Sequence, residues 1–440
     1  MICQSEIDST VIRLKIEKVV FGGYGLGYLE GVSYFVFNAL PGDIIDVKIL
    51  YKKKNAFFCE IEKIISPSEY RTNIKCELNG KCGACDWVNI SYPHQIELKQ
   101  AIYREIFPDN PDIIESPQID FYRNKCTFPV QEDEGHIKIG MYERQSHNVI
   151  EHQSCYLYPK IYKEILLSIK EWMKNSHIKP YDEQSNMGEV RFIVIRSSAD
   201  LKSILMILIT KKRKLGFTKQ LVHLLTDKFP EIKGIIQNIQ PLPNNVNIGE
   251  DDKILYGESY LHENLDNLSL KIHYKAFFQV NITQTLQIYN EIQNHLNAHE
   301  VAIDAYSGIG SIGLFIANKI KKVICIEENK EAVESGKVNA QNNNIPNIVF
   351  MNDTVENVLT DIISRTDIDT IIFDPPRKGL DKSIIESINI PKIIYLSCNP
   401  VTQKRDIKLL MAKGYELIFL KGYDMFPHTW HIESLAVLTN

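Results

Sequence analysis

Cys398 stands at the end of the apolar run KIIYLS and is followed by Asn399-Pro400, so a strand ends there with a thiol at its tip. A lone strand-end cysteine is commonly no more than a small buried hydrophobe. A second run, IIFDPPRKGL, ends in the same way at Asp374, where Pro375 and Pro376 stop the strand. If both strands belong to one open parallel sheet, thiol and carboxylate face one crevice, because ligands bind outside strand carboxyl ends. There an ionised thiol can act as a covalent nucleophile. The segment KGYDMFPHTWHIESLAVL supplies His428, His431 and Glu433 as proton acceptors just before a last apolar strand. An apolar site makes a carboxylate a better base, and residue types alone leave Glu433 and the histidines level.

The partner substrate is suggested by Asp304-Ala-Tyr306-Ser-Gly308-Ile-Gly310-Ser-Ile-Gly313, a glycine turn that follows an apolar strand and opens a helix. Amides at such a helix start hold anions, and the glycines admit a ligand close to the main chain. The string also satisfies G-x-G-x-x-G, so an NAD-linked iron–sulfur oxidoreductase is a rival reading. Against it, Glu327 ends the very next strand, short of the roughly 20-residue spacing of the dinucleotide fingerprint. With Asp304 ahead of the turn, S-adenosylmethionine fits better. Glu327 is placed to accept hydrogen bonds from the ribose hydroxyls, and Asp353, ending NIVFMND, to meet the adenine amine. Arg377 stands where enzymes that methylate exocyclic nitrogens carry an aromatic residue after D-P-P, which speaks against that chemistry. A thiol is what methylation at C5 of uracil demands: addition to C6 makes an enolate, C5 takes the sulfonium methyl, and a base removes the C5 proton before the thiol leaves.

A second cysteine set, Cys76-x5-Cys82-Gly83-Ala84-Cys85 with Cys155 in EHQSCYLYP, suits an iron–sulfur cluster or a structural zinc, which residue types do not separate. Nine cysteines in 440 residues are too few and too uneven for a disulfide scaffold. No apolar run approaches the roughly 20 residues that span a bilayer. The opening MICQSEIDSTVIRLK lacks the order of a secretory signal, so a cytoplasmic location is expected. The net charge of −5 argues against indiscriminate coating of nucleic acid. Lys52-Lys53-Lys54 and Lys211-Lys212-Arg213-Lys214 are local basic pieces or simply solvated loop charges. Nothing demands an obligate protein partner.

These residues need a multidomain α/β frame. Residues 1–65 alternate as short strands broken by GGYGLG, read as a tight turn, and by Pro41-Gly42-Asp43, which predicts a small β-barrel. Residues 66–280 read as an α+β domain holding the cysteine set, with a helix near 91–107 that packs on either neighbour. From 281 to 440 helices alternate with strands, which predicts a doubly wound, Rossmann-like sheet.

FFQVN, DAYSGIGSIG, DPPRKG, SCNP and DMFPHTWHIE, in this order, resemble the RNA uracil-5-methyltransferases over essentially the whole chain, and specifically their 23S rRNA branch. The resemblance implies an N-terminal TRAM domain that binds RNA, a 4Fe-4S cluster on Cys76, Cys82, Cys85 and Cys155, and 23S ribosomal RNA as substrate. It makes Cys398 the nucleophile and Glu433 the base, and it sets Gln279, Tyr306, Glu327 and Asp374 around S-adenosylmethionine. The related tRNA enzymes are expected to lack the TRAM domain and the cluster, which favours ribosomal over transfer RNA. Ser307 departs from the cysteine many members have there; that cysteine is not catalytic.

Overall fold

Strict alternation in the first sixty-odd residues gives each strand one apolar face, and such strands can bury it by closing on themselves. The computed structural model describes residues 11–73, 76–109, 111–242 and 248–440. Strands Ile12–Val20, Tyr24–Leu29, Val32–Phe37, Ile44–Lys53 and Ala56–Ser66 form a closed barrel in the spatial order first, second, third, fifth, fourth. Leu14, Ile16, Val36, Ile45, Val47 and Cys59 fill it. The GGYGLG segment is only half a turn. Gly22 and Gly23 turn at φ of +102° and +75°, but Tyr24-Gly25-Leu26-Gly27 is strand. Its glycines are there for close approach: a Cβ on Gly25 would lie 2.6 Å from the Ala39 carbonyl oxygen. The first ten residues, where the reading of the chain's opening falls, lie outside the described residues.

The central sheet has six strands in the order Asp251–Gly257, Ile232–Ile239, Ile204–Thr210, Val190–Ser197, Lys125–Asp133, His136–Ile139. Helix Lys160–Asn175 presses Ile165, Ile169 and Trp172 into the same cluster as Ile193, Ile195 and Met206 of that sheet. Helix Tyr92–Ile106 packs elsewhere. Leu98, Ile102 and Tyr103 share a core with Ile371, Ile393 and Leu410 of the C-terminal layer. Strand Ile113–Ile114 extends that layer's sheet by pairing with Glu416–Tyr423.

The C-terminal sheet has eight strands: Ile348–Asn352, Lys322–Glu327, Val301–Ala305, Thr370–Phe373, Lys392–Ser397, Glu433–Thr439, Glu416–Tyr423 and Ile113–Ile114. The first five are parallel, and the four from Lys322–Glu327 to Lys392–Ser397 have the near-continuous buried apolar runs of strands covered on both faces, whereas Ile348–Asn352 is a part-exposed edge. The order reverses between Val301–Ala305 and Thr370–Phe373, which opens a crevice at their carboxyl ends. Glu433–Thr439 runs antiparallel to its neighbours, pairing Ser434 with Ser397. Its beginning therefore lies beside the end of Lys392–Ser397, and Glu433 is brought next to Cys398. Among the described residues no helix is long and apolar enough to cross a membrane.

Candidate active site

A cavity of about 850 Å³ occupies this crevice. Gln279, Tyr306, Glu327, Asp353 and Asp374 line it, and so do Cys398 and Glu433. A groove of about 930 Å³ on the central domain is larger, but among the described residues it contains no cysteine and none of the strand-end groups.

On one side of the cavity the strand Val301–Ala305 leads into a turn that only a left-handed backbone can make. Tyr306, Gly308 and Gly310 have φ of 59°, 56° and 71°. A Cβ on Gly310 would lie 2.5 Å from Phe350 Cε1. Glu327 accepts from the Gly308 amide at 2.9 Å and the Asn329 amide at 2.8 Å, so it ties the turn to the next strand end. Asp353 accepts from the Thr354 amide at 2.8 Å and Asn357 Nδ2 at 2.9 Å. The Tyr306 hydroxyl donates to Glu356 at 2.8 Å. Asp304 has a different part: it is buried outside the cavity lining, and its Oδ2 accepts from the Gly313 amide at 2.8 Å. It braces the turn, and burial pushes its carboxyl up to about 7.

Gln279 crosses to the other side. Its Nε2 donates to Asp374 Oδ2 at 3.2 Å, and its carbonyl accepts from Asn124 Nδ2 at 3.0 Å, which fixes it from the central domain. Burial pushes Asp374 up to about 7, opposed by the Gln279 bond. Burial, then the Asp374 charge, holds Glu433 well above the usual carboxylate range. Cys398 is pushed up to about 11, first by burial and then by Glu433 and Asp374, while Arg377 acts in the opposite sense. Two buried carboxyls and a thiol make a pit that favours a cation, which a sulfonium supplies.

The three C-terminal proton acceptors separate here. His428 is not in the cavity lining. Its Nε2 meets Asp120 Oδ1 at 2.7 Å, its Nδ1 meets Gln95 Nε2 at 3.2 Å, and its carbonyl accepts the amides of Asp86 and Trp87 at 3.0 and 2.9 Å. It is a strut. His431 lines the cavity, but burial, then Arg377 and other cations, pull it down to about 3 and keep it a neutral, weak base. Lys99, fully buried on helix Tyr92–Ile106, pins the preceding loop through Asp424 and the Phe426 carbonyl.

Sequence reasoning did not assign Arg377, Arg123, Phe277 or Glu356 to the site, and all four line the cavity. Arg377 carried a signal, since it directly follows Asp374-Pro375-Pro376. Arg123 carried none, because it arrives from the central domain.

The Asp374 carboxyl has a measurable consequence. Its folded pKa lies above its unfolded value, so the stability it contributes is present below about pH 4 and is lost as pH rises toward 7. Asp374→Asn is expected to raise the melting temperature of the cofactor-free protein by a few degrees at pH 8, at about 2–4 °C per kcal/mol, and by less at pH 5. Scanning calorimetry at the two pH values checks this; an equal shift at both would contradict it.

Cys76, Cys82, Cys85 and Cys155 line a separate pocket together with His152. All four are free thiols, with Cys82 Sγ 3.4 Å from His152 Nε2. Burial pushes Cys155 up to about 11 and Cys85 well up, and each feels its neighbours' charge. Among the described residues no group of three or more His, Cys, Asp or Glu side chains is arranged to hold a metal ion.

A parallel sheet that reverses beside a glycine turn, with acidic strand ends around the cavity, defines a Rossmann-like transferase domain for a nucleoside cofactor. Residues 91–440 match the model of the tRNA (uracil-5-)-methyltransferase family, and the chain belongs to that family. It is 36% identical to an uncharacterized RNA methyltransferase of Fusobacterium nucleatum, with 98% of this chain and 96% of the relative covered. It is 34% identical to one of Oceanobacillus iheyensis, at the same coverage. Among solved structures it is similar to the Pyrococcus abyssi tRNA (uracil-54, C5)-methyltransferase in complex with S-adenosyl-L-homocysteine: TM-score 0.80, 25% identity, 97% of this chain and 100% of that one. The chain is thus an S-adenosylmethionine-dependent RNA uracil-5-methyltransferase, and the NAD-linked reading falls. The substrate argument from domain content needs correction. A tRNA enzyme that aligns with 97% of this chain shows that the N-terminal region does not by itself separate ribosomal from transfer RNA.

Proposed function

We propose that the chain methylates C5 of a uridine in 23S ribosomal RNA, with Cys398 as nucleophile and Glu433 as base. The Cys398 thiolate adds to C6, and the electron pair moves into an enolate. C5 then takes the methyl group, releasing S-adenosylhomocysteine. Glu433 removes the C5 proton, and the thiolate departs. Gln279, Tyr306, Glu327, Asp353 and Asp374 hold the cofactor in this reading. The observation that carries it is the Ser397–Ser434 pairing, which sets Cys398 and Glu433 at neighbouring strand ends in one cavity. The target base is swung out of a folded loop to reach them.

The same proposal makes residues 1–65 a TRAM domain, 66–280 the central domain and 281–440 the methyltransferase domain, in a cytoplasmic protein. Cys76, Cys82, Cys85 and Cys155 would hold a 4Fe-4S cluster: the four cysteines line one pocket, no carboxylate is among its described lining residues, and thiols are the donor type for iron and sulfide, although in the present arrangement no three of them are grouped as ligands.

A tRNA uridine is the second reading, favoured by the full-length likeness to the Pyrococcus abyssi enzyme. Labelled S-adenosylmethionine offered with unmodified 23S rRNA and tRNA transcripts in parallel decides between them. Label as 5-methyluridine in tRNA alone would overturn the ribosomal assignment and keep the chemistry.

A further inference from the structure

Two cations stand opposite each other in the central sheet, and among the described residues no acid pairs with either. Lys125 on strand Lys125–Asp133 is directly opposed to Arg196 on Val190–Ser197. Residues so opposed point to one face with Cβ atoms about 5 Å apart, and like charges in that relation repel. Arg196 is 1% exposed, and its Nη1 donates to the carbonyls of His273 at 3.3 Å and Ala276 at 2.9 Å. Its Nε and Nη2 are buried without a partner among the described residues. Lys125 is half-buried, and its ammonium makes no hydrogen bond or ion pair with any described residue. Glu263, the carboxyl that Arg196 feels, spends its oxygens on the amides of Ala199 at 2.9 Å and Asn264 at 3.0 Å. Burial pushes Glu263 up to about 7, so it supplies no full counter-charge at neutral pH. Burial, then the Arg196 charge, pulls Lys125 down to about 8, which still leaves it mostly ammonium at pH 7.

Sheet formation does not call for this pair. Two buried positive charges cost desolvation as well as repulsion, and on the same face Phe192 opposite Pro129 shows an apolar alternative. An anion at the pair relieves both costs. Its position says which anion. Arg123, two residues before Lys125, lines the catalytic cavity, and its Nε is another buried donor without a partner among the described residues. The Ala276 carbonyl that Arg196 holds comes immediately before Phe277, which is 62% exposed in the cavity wall, and Gln279 follows with its bond to Asp374. The uncompensated charge therefore borders the crevice of Cys398 and Glu433, on the wall that the central domain supplies. A base swung out of its stack leaves its backbone at the rim of such a crevice, and phosphate contacts are what position a nucleic acid.

We propose that Lys125, with the Arg196 charge behind it, binds a backbone phosphate of the substrate RNA beside the target uridine. In this assignment, which rests on RNA being the substrate, the half-buried ammonium meets the phosphate oxygens in a charge-assisted hydrogen bond. The fully buried guanidinium keeps its hydrogen bonds to the segment that carries Phe277 and Gln279.

The test uses the full chain. In thermal melting at constant ionic strength, inorganic phosphate in place of chloride should raise the midpoint of the wild type and not that of Lys125→Met. With labelled S-adenosylmethionine and unmodified 23S rRNA and tRNA transcripts, Lys125→Met is expected to raise the KM for RNA about tenfold with kcat close to the wild-type value. The slope of log KM against log salt should fall by about 0.7, the share of one phosphate contact on a single strand. Lys125→Arg should restore both KM and slope. S-adenosylhomocysteine binding by calorimetry, equal in all three proteins, reports an intact fold. An unchanged KM and slope in Lys125→Met overturns the site and leaves the methyltransferase reading standing; if only the melting response to phosphate is lost, the pair holds an adventitious ion only. Weaker S-adenosylhomocysteine binding with an unchanged KM for RNA overturns it in favour of the cofactor's carboxylate. A wild type that methylates neither transcript overturns the substrate reading itself.

Discussion

Cys398→Ala is expected to lower methyl transfer by about 10⁴-fold or more while S-adenosylhomocysteine still binds. The reason is the electronic structure of uracil: without a group on C6, C5 has too little nucleophilic character to displace a sulfonium methyl. Alanine removes the only sulfur among the described residues of the cavity lining and leaves the turn at Tyr306–Gly310 untouched. Single-turnover transfer from labelled S-adenosylmethionine measures the loss, and calorimetry measures the retained affinity. The wild-type protein should also form a denaturant-resistant adduct with 5-fluorouridine RNA, because fluorine at C5 blocks the last proton removal, whereas Cys398→Ala should form none. A variant that methylates at the wild-type rate would end the role assigned to this thiol.

Glu433→Gln separates the steps that follow. Glutamine keeps the shape of the side chain and cannot take a proton, so the thiol still adds and the methyl group still moves, but the methylated adduct should persist. Turnover is expected to fall by about 10²–10⁴-fold, with a covalent protein–RNA band on ordinary, non-fluorinated substrate. His431→Ala should not trap an adduct, since His431 is held neutral and weakly basic. Should adduct accumulate with His431→Ala and not with Glu433→Gln, the two residues would exchange roles. Glutamine also removes a buried carboxyl beside Asp374, so the variant should be no less stable than the wild type at pH 8.

The parallel strands of the C-terminal sheet were legible in the sequence because each is an apolar run closed by a polar tip, and those tips are where the site lies. The barrel was legible from alternation, except at Gly25 and Gly27. There glycine serves close backbone approach within a strand, which local pattern cannot tell from a turn. What stayed hidden are contacts between segments far apart in the chain. His428 looked as good a base as Glu433 until Asp120 and Gln95 were found to occupy its ring nitrogens. Lys99 lies on the helix expected near 91–107 and is fully buried against Asp424, a partner 325 residues away in the chain. Arg123 and Asn124 reach the cavity or its wall from another domain, and nothing in their own neighbourhood announces it.

The amides of Asp86 and Trp87, both bound to the His428 carbonyl, give the cysteine segment a mechanical grip on the loop that leads to Glu433. Cys85 is the residue immediately before that grip. Anything that re-forms the chain around Cys85 must either drag the 428–433 loop with it or break two peptide hydrogen bonds. The two amides are thus a strain gauge between domains, and their exchange with deuterated water should quicken together with that of the 428–433 backbone when the four thiols are alkylated.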